Sequence, residues 1–261
     1  MERTALLIKW LLSLTCMSRL LGILSVIATT ANAASANSSV MINVDENAPP
    51  FMYLQNGQAA GIYPRIINEA FRRMNVPVKV NAIPWKRALA DAKSGRAGIA
   101  GLYWTEERAR YFDFSDPLLT EKVLIFVRND SAFPFMAMND LKGKKLATIS
   151  GWVYGNEFDK ARASGLFATD PNINDELNFE KLIRRRVDAV IAIESSGQAA
   201  ITSKNLGSVV SALKQPLSSL QTYLAFAKGS NGALLRRFNE VLKSMSADHT
   251  LAKLTSELPG P

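Results

Sequence analysis

The stretch Trp104-Thr105-Glu106-Glu107-Arg108-Ala109-Arg110-Tyr111-Phe112-Asp113-Phe114-Ser115-Asp116-Pro117 decides how the chain is read. Its first half predicts a helical turn over 105–111, with Thr105 placed to cap it and Arg108 three residues on. An arginine there presents a planar fork of donors that suits a carboxylate. On its own, Arg108 beside Arg110 reads better as a solvated surface arginine. Short apolar runs at 99–103 and 123–127 flank the stretch and read as buried strands.

Working outward, residues 40–44 alternate toward a strand, and 45–50 form a Pro-containing loop. The next element begins at Gly61. Residues 62–74 place Ile62, Ile66, Ile67, Ala70 and Phe71 at helical spacing, with Arg65, Asn68, Glu69 and Arg72 opposite. Pro77 breaks that helix, 78–83 reads as a strand and 84–93 as a second helix. After a connection around 132–140 the pattern restarts. It gives a strand at 145–149, helices at 151–162 and 177–184, a buried strand at 188–193 and a helix at 195–202. A strand at 224–227 and an amphipathic helix at 234–245 follow. Two α/β blocks of similar length result.

Composition agrees with a packed globular protein: of 261 residues 48% are apolar and 21% charged, which argues against disorder or a collagen-like chain. The one cysteine, Cys16, and the one histidine, His249, exclude an internal disulfide, a Cys-rich metal site and an HExxH site, so no metal or cofactor is expected. The net charge of +8 includes basic runs at 142–145 and 184–186. They are separated and lack interleaved aromatics, so a solvated face is expected rather than nucleic-acid binding. Residues 1–33 combine sparse positive charge, an apolar stretch and Ala31-Asn32-Ala33, the marks of a cleaved export signal. Starting at Met17 would give that signal better proportions. No later stretch approaches the roughly 18 apolar residues needed to span a bilayer.

The quoted stretch resembles the T-x-E-R-x-x-x-x-x-F-S-D-P signature of family 3 periplasmic solute-binding proteins. Ala48-Pro49-Pro50-Phe51, Gly61-Ile62-Tyr63-Pro64-Arg65, Pro84-Trp85-Lys86-Arg87, Gly151-Trp152-Val153-Tyr154-Gly155 and Arg186-Val187-Asp188-Ala189-Val190 resemble other landmarks of that family, in order, across 40–255. The resemblance implies a two-lobed α/β fold with two hinge strands and an interlobe cleft. Lobe 1 would be 34–126 plus 225–261, lobe 2 129–222, and the hinge strands 123–127 and 224–227.

It further implies that Arg108 anchors a ligand carboxylate and that Trp85 stands where the family places an aromatic wall, with Phe51 in the opening loop. Where this sequence departs from the family, Tyr103 is read as a further wall and Trp152 and Tyr154 as an aromatic closing surface. Gly101 and Tyr103 stand seven and five residues before Arg108, where amino-acid binders of the family carry small hydroxyl residues. The family's ammonium-binding aspartate falls at Ile193, which leaves Glu194 to meet a cation only if the strand ends there. The expected protein is a monomeric, non-enzymatic periplasmic binder that delivers a small carboxylated solute to an ABC transporter permease in the inner membrane. Two alternatives share the fold: an exported enzyme resembling cyclohexadienyl dehydratases, with Glu194 or Glu46 as general acid, and a sensor for a membrane receptor.

Overall fold

The computed structural model describes residues 39–256, so the export segment over 1–33, the start at Met17 and Cys16 lie outside the described residues. The chain enters through β1 (Val40–Asp45). The region expected to be a plain loop then folds as a small antiparallel sheet of β2 (Asn47–Ala48), β3 (Met52–Gln55) and β4 (Gln58–Ala60). Its tight turn is Asn56-Gly57, both at positive φ, the pair that two-residue hairpins favour.

Helix α1 (Ile62–Arg73) buries the apolar stripe read from its sequence, and Glu69 on its outer side pairs with Arg72 and Arg73. Strand β5 (Val78–Ile83) lies parallel to β1 over its full length. Helix α2 (Trp85–Lys93) begins directly after Pro84 and leads to β6 (Gly98–Tyr103), which pairs in parallel with β1 from the other side. Parallel neighbours need crossovers of this kind.

The quoted stretch forms a short 3-10 turn at Arg108–Arg110, followed by β7 (Phe112–Phe114). Then comes β8 (Leu119–Arg128), which is ten residues long. The second block runs through β9 (Lys145–Ile149), α3 (Asn156–Ala163), β10 (Ala168–Asn172), α4 (Asp175–Ile183), β11 (Ala189–Ile193), α5 (Glu194–Ser203) and β12 (Val210–Ala212). The chain returns through β13 (Ser218–Ala227) to α6 (Gly232–Ala247) and α7 (Thr250–Ser256). Exposed His249, at positive φ, separates these last two helices. Phe238 of α6 packs on Phe71 of α1, ring centres 6.0 Å apart, in the core of the first block.

One sheet orders its strands β10-β9-β11-β8-β13-β6-β1-β5. Its middle explains the two-lobed architecture. Residues 119–123 of β8 pair antiparallel with 218–222 of β13, and then the two strands part. Strand β8 continues into the second block beside β11 and β12, whereas β13 continues into the first beside β6 and β7. The hinge strands are therefore longer than the expected 123–127 and 224–227.

Two local features shape the cleft. Opposite Tyr223 and Leu224 of β13, the ladder skips Gly101 of β6, whose φ is +81°. This is a β-bulge, the device that re-aims side chains near sites. The helix expected over 151–162 begins only at Asn156, because Gly151 and Gly155 take φ of +81° and +108°, outside any right-handed helix. Trp152, Val153 and Tyr154 thus sit in an irregular segment ahead of the helix rather than in its first turn.

Candidate functional site

The hinge strands bring residues from both blocks around one small cavity of about 10 Å³, the size of a single water. The first block contributes Met52, Trp85, Gly101, Tyr103 and Arg108, and the second contributes Trp152, Val153 and Ile193. The remaining lining residue is Glu121, from the hinge strand β8. Five sequence-derived candidates therefore meet here: Trp85, Gly101, Tyr103, Arg108 and Trp152. Phe51, Tyr154 and Glu194 do not line the cavity. Phe51 stacks on Tyr63, centroids 5.8 Å apart, and the Tyr154 hydroxyl accepts a 2.7 Å hydrogen bond from the Ile149 N–H. Strand β11 does end at Ile193, and Glu194 opens α5, but Glu194 is exposed while Ile193 faces the cavity.

Arg108 is 8% exposed although it lies in a turn of only three residues. Thr105 Oγ1 accepts from its backbone N–H at 3.1 Å, the cap that the sequence predicts. The Tyr103 carbonyl accepts from Nη1 at 2.9 Å. Among the described residues no carboxylate lies within ion-pair distance of the guanidinium. Burial lowers it to about 10, opposed by the negative charges of Asp159 and Glu107. It stays cationic at neutral pH, with donors of its fork left over for an anion.

The aromatic walls are tied across the cleft. Trp85 Nε1 donates to the Gly151 carbonyl at 3.3 Å, and Trp152 Nε1 donates to Asp45 Oδ2 at 3.3 Å. The two indole systems meet at 6.1 Å and 61°, and Tyr103 stands edge-on to Trp152 at 6.5 Å and 87°. Asp45 is 2% exposed and also accepts from the Asn47 N–H at 3.0 Å. Burial raises its carboxyl to about 6, against the effect of those hydrogen bonds.

Glu121 is the residue the sequence reading passes over. It is 4% exposed, and both its oxygens are engaged: Tyr63 Oη donates to one and Tyr103 Oη to the other. Tyr63 Oη also lies 2.9 Å from Thr222 Oγ1 on β13. Burial lifts the Glu121 carboxyl to about 7, opposed by the tyrosine bonds. The same burial raises both tyrosines well above their usual value, with the Glu121 charge adding to it. The signal was strand parity. Leu119, Glu121, Val123, Ile125 and Val127 share one face of β8, and in the half nearest the site Thr120 and Lys122 point outward.

Beside this cavity, and sharing Tyr103 and Val153 with it, lies an open groove of about 430 Å³. Apart from its tyrosines it is lined by uncharged residues, including Trp104, Thr105, Thr120, Asn156 and Gln221. Among the described residues, no cluster of His, Cys, Asp and Glu is arranged to hold a metal ion, and no helix is long and apolar enough to cross a membrane.

Residues 40–258 match the family model of bacterial extracellular solute-binding proteins, family 3. The L-cystine-binding protein TcyJ of Escherichia coli (strain K12) is 21% identical over 229 residues, 87% of this chain and 84% of TcyJ. The arginine-binding extracellular protein ArtP of Bacillus subtilis (strain 168) is 22% identical over 250 residues, 94% of this chain and 96% of ArtP. The fold matches that of a histidine kinase sensor domain with similarity to periplasmic binding proteins, at a TM-score of 0.76 and 22% identity, covering 85% of this chain and 96% of that one. TcyJ and ArtP are binding proteins by name. The chain belongs to the bacterial extracellular solute-binding proteins, family 3.

Proposed function

We propose that the protein is exported through a cleaved signal at residue 33 and captures a small carboxylated solute, an amino acid or a related compound, in the periplasm. It passes that solute to the permease of an ABC transporter, and it works as a non-enzymatic monomer without a cofactor. The observation that carries this reading is Arg108: a buried guanidinium, unpaired by any carboxylate among the described residues, facing a cavity walled by Trp85, Tyr103 and Trp152. A buried charge without a partner is costly, and an incoming carboxylate offsets that cost.

The division into lobe 1 (34–126 plus 225–261) and lobe 2 (129–222) belongs to the same proposal, with β8 and β13 shared between the lobes. The cavity is far smaller than the roughly 300 Å³ of a typical ligand pocket, so a solute enters when the lobes swing apart. One chain suffices for such a hinge. The names of the relatives, binders of cystine and arginine, favour an amino-acid-like solute.

The test is thermal unfolding of the protein, first unfolded and refolded to strip carried-over ligand, against amino acids, polyamines, dicarboxylates and aromatic acids. A ligand at about 100 times its Kd adds about 2.7 kcal/mol and raises Tm by several degrees. A rise confined to carboxylated compounds and lost in Arg108→Ala supports the reading. A rise that survives Arg108→Ala, or no rise across the panel, defeats it.

A second reading, an exported enzyme on this fold, rests on Glu121 rather than on Glu194 or Glu46, because Glu121 is the buried acid that faces the cavity. Turnover of a cyclohexadienyl carboxylate that disappears in Glu121→Gln would establish it.

A further inference from the structure

Arg108 and Glu121 line the same cavity, both buried, yet they do not pair with each other. Arg108 spends a donor on the Tyr103 carbonyl, and Glu121 is held by the hydroxyls of Tyr63 and Tyr103. A pocket holding a buried guanidinium and a buried carboxyl that do not pair with each other is complementary to a ligand that carries both a carboxylate and an ammonium. Ile193, at the second-lobe edge of the cavity, offers no charge to a cation.

We propose that Glu121, on the hinge strand, receives the amino group of an amino-carboxylate ligand, and that it ionises when that ligand binds. The proposal rests on the reading of Arg108 as the carboxylate anchor and names the class of solute that completes the site.

The surroundings of Glu121 support either charge state. Tyr63 Oη stands between Glu121 and Thr222 Oγ1, and Thr222 Oγ1 lies 3.4 Å from the Leu119 carbonyl. A hydroxyl both donates and accepts. With Glu121 ionised, Tyr63 and Tyr103 both donate to it. With Glu121 protonated, its O–H donates to Tyr63 and Tyr63 turns to Thr222, while Tyr103 still donates to the other oxygen. No buried polar group is orphaned in either arrangement.

The titratable and charged groups that face Glu121 are Tyr63 on α1, Tyr103 on β6 and Arg108 in the 3-10 turn, and Thr222 on β13 adds a neutral hydroxyl. The tyrosines stay protonated and Arg108 stays charged, so Glu121 is the group among them that changes charge near neutral pH. A carboxyl kept neutral by burial gives up its proton to solvent when an ammonium arrives beside it. A ligand with no amino group leaves that proton in place.

The experiment compares matched pairs on the full chain: L-cystine with dithiodipropionate, L-phenylalanine with phenylpropionate, and L-glutamine with glutaramate. Thermal shifts identify the pair that binds. Calorimetric titration of that pair, in buffers of different ionisation enthalpy, then counts protons. The expected result is binding by the amino member, with close to one proton released at about pH 6 and almost none at about pH 8, and affinity rising about tenfold between them. In Glu121→Gln the proton release and the pH dependence disappear.

Equal binding by the deaminated partner, or release that persists in Glu121→Gln, overturns the proposal and leaves the carboxylate anchor standing. Absence of proton release in the unsubstituted protein does the same, and needs no variant to fold. Failure of every carboxylated compound to bind overturns both.

Discussion

Trp85 and Trp152 each send an indole N–H across the cleft, Trp85 to the Gly151 carbonyl and Trp152 to the Asp45 carboxyl. The rings that wall the cavity are therefore also the bolts that hold it shut. Their two bonds do not carry equal weight, because Gly151 offers a backbone carbonyl near the surface while Asp45 is a buried acid.

Trp152→Phe keeps an aromatic wall but leaves Asp45 Oδ2 without its indole donor. The expected loss of stability is about 1 to 2 kcal/mol in urea unfolding. Asp45→Asn added to that variant should recover part of it, since a neutral amide is easier to leave buried. Additive losses in the double variant would show that the two groups are not coupled.

Arg108→Lys tests geometry apart from charge. Lysine keeps the positive charge but has no planar fork, and it cannot hold the Tyr103 carbonyl and a bidentate carboxylate together. Affinity for the carboxylated ligand should fall at least about tenfold, with the unfolding transition of the unliganded protein little changed. Retention of full affinity in calorimetric titration would show that charge alone suffices.

Stability should depend on pH in a direction opposite to that of most acidic pairs. Asp45 at about 6, Glu121 at about 7 and Asp175, at the start of α4, at about 7 bind protons more tightly folded than unfolded, burial being the first cause in each. Their contribution is fully present below about pH 4 and is lost as pH rises through 6 and 7. Glu69 and Asp248, lowered to about 2 mainly by their hydrogen bonds, act in the opposite sense and only toward strong acid. The unliganded protein should therefore be most stable near about pH 5, and less stable at about pH 7.5 by on the order of a few kcal/mol. Glu121→Gln should flatten that slope in a Tm series across pH, and an unchanged slope would exclude Glu121 as its source.

Gly101→Ala should cost about 1 to 3 kcal/mol, for two reasons. Its φ of +81° is unfavourable for any side chain, and a Cβ there would lie 3.0 Å from Met52 Cε and 3.1 Å from the Tyr63 ring. Gly207→Ala is the control, with no atom within 4 Å of the added carbon and no positive φ; it should stay within about 0.5 kcal/mol. Equal effects at the two positions in chemical unfolding would refute the argument.

The strand β5 and the helix α1 were legible because each has a marked pattern bounded by Pro or Gly, and β11 because it is a short unbroken apolar run. The misreadings have physical causes. Asn56-Gly57 announces a hairpin, but Met52 to Gln55 is too short and mixed a run to stand out beside it. Trp152, Val153 and Tyr154 look like an apolar helix start, and only the positive φ of the flanking glycines forbids it. Of the site, Arg108 was legible through its motif and its cap. Glu121 was not: between Thr120 and Lys122 it looks solvated, and its burial is created by Tyr63 and Tyr103, which lie 58 and 18 residues away in sequence.

The skipped residue in β6 has one more consequence. With the bulge, Ala100 stands opposite Leu224, Leu102 opposite Tyr223 and Tyr103 opposite Thr222. An unbroken ladder from Ala100 onward would set Gly101 against Tyr223 and Leu102 against Thr222. Leucine, not tyrosine, would then reach the neighbourhood of Glu121, and one of the acid's two hydroxyl partners would point elsewhere. On this strand neighbours on one face are three residues apart instead of two, so the chain uses one residue of length to choose which side chain meets the buried acid.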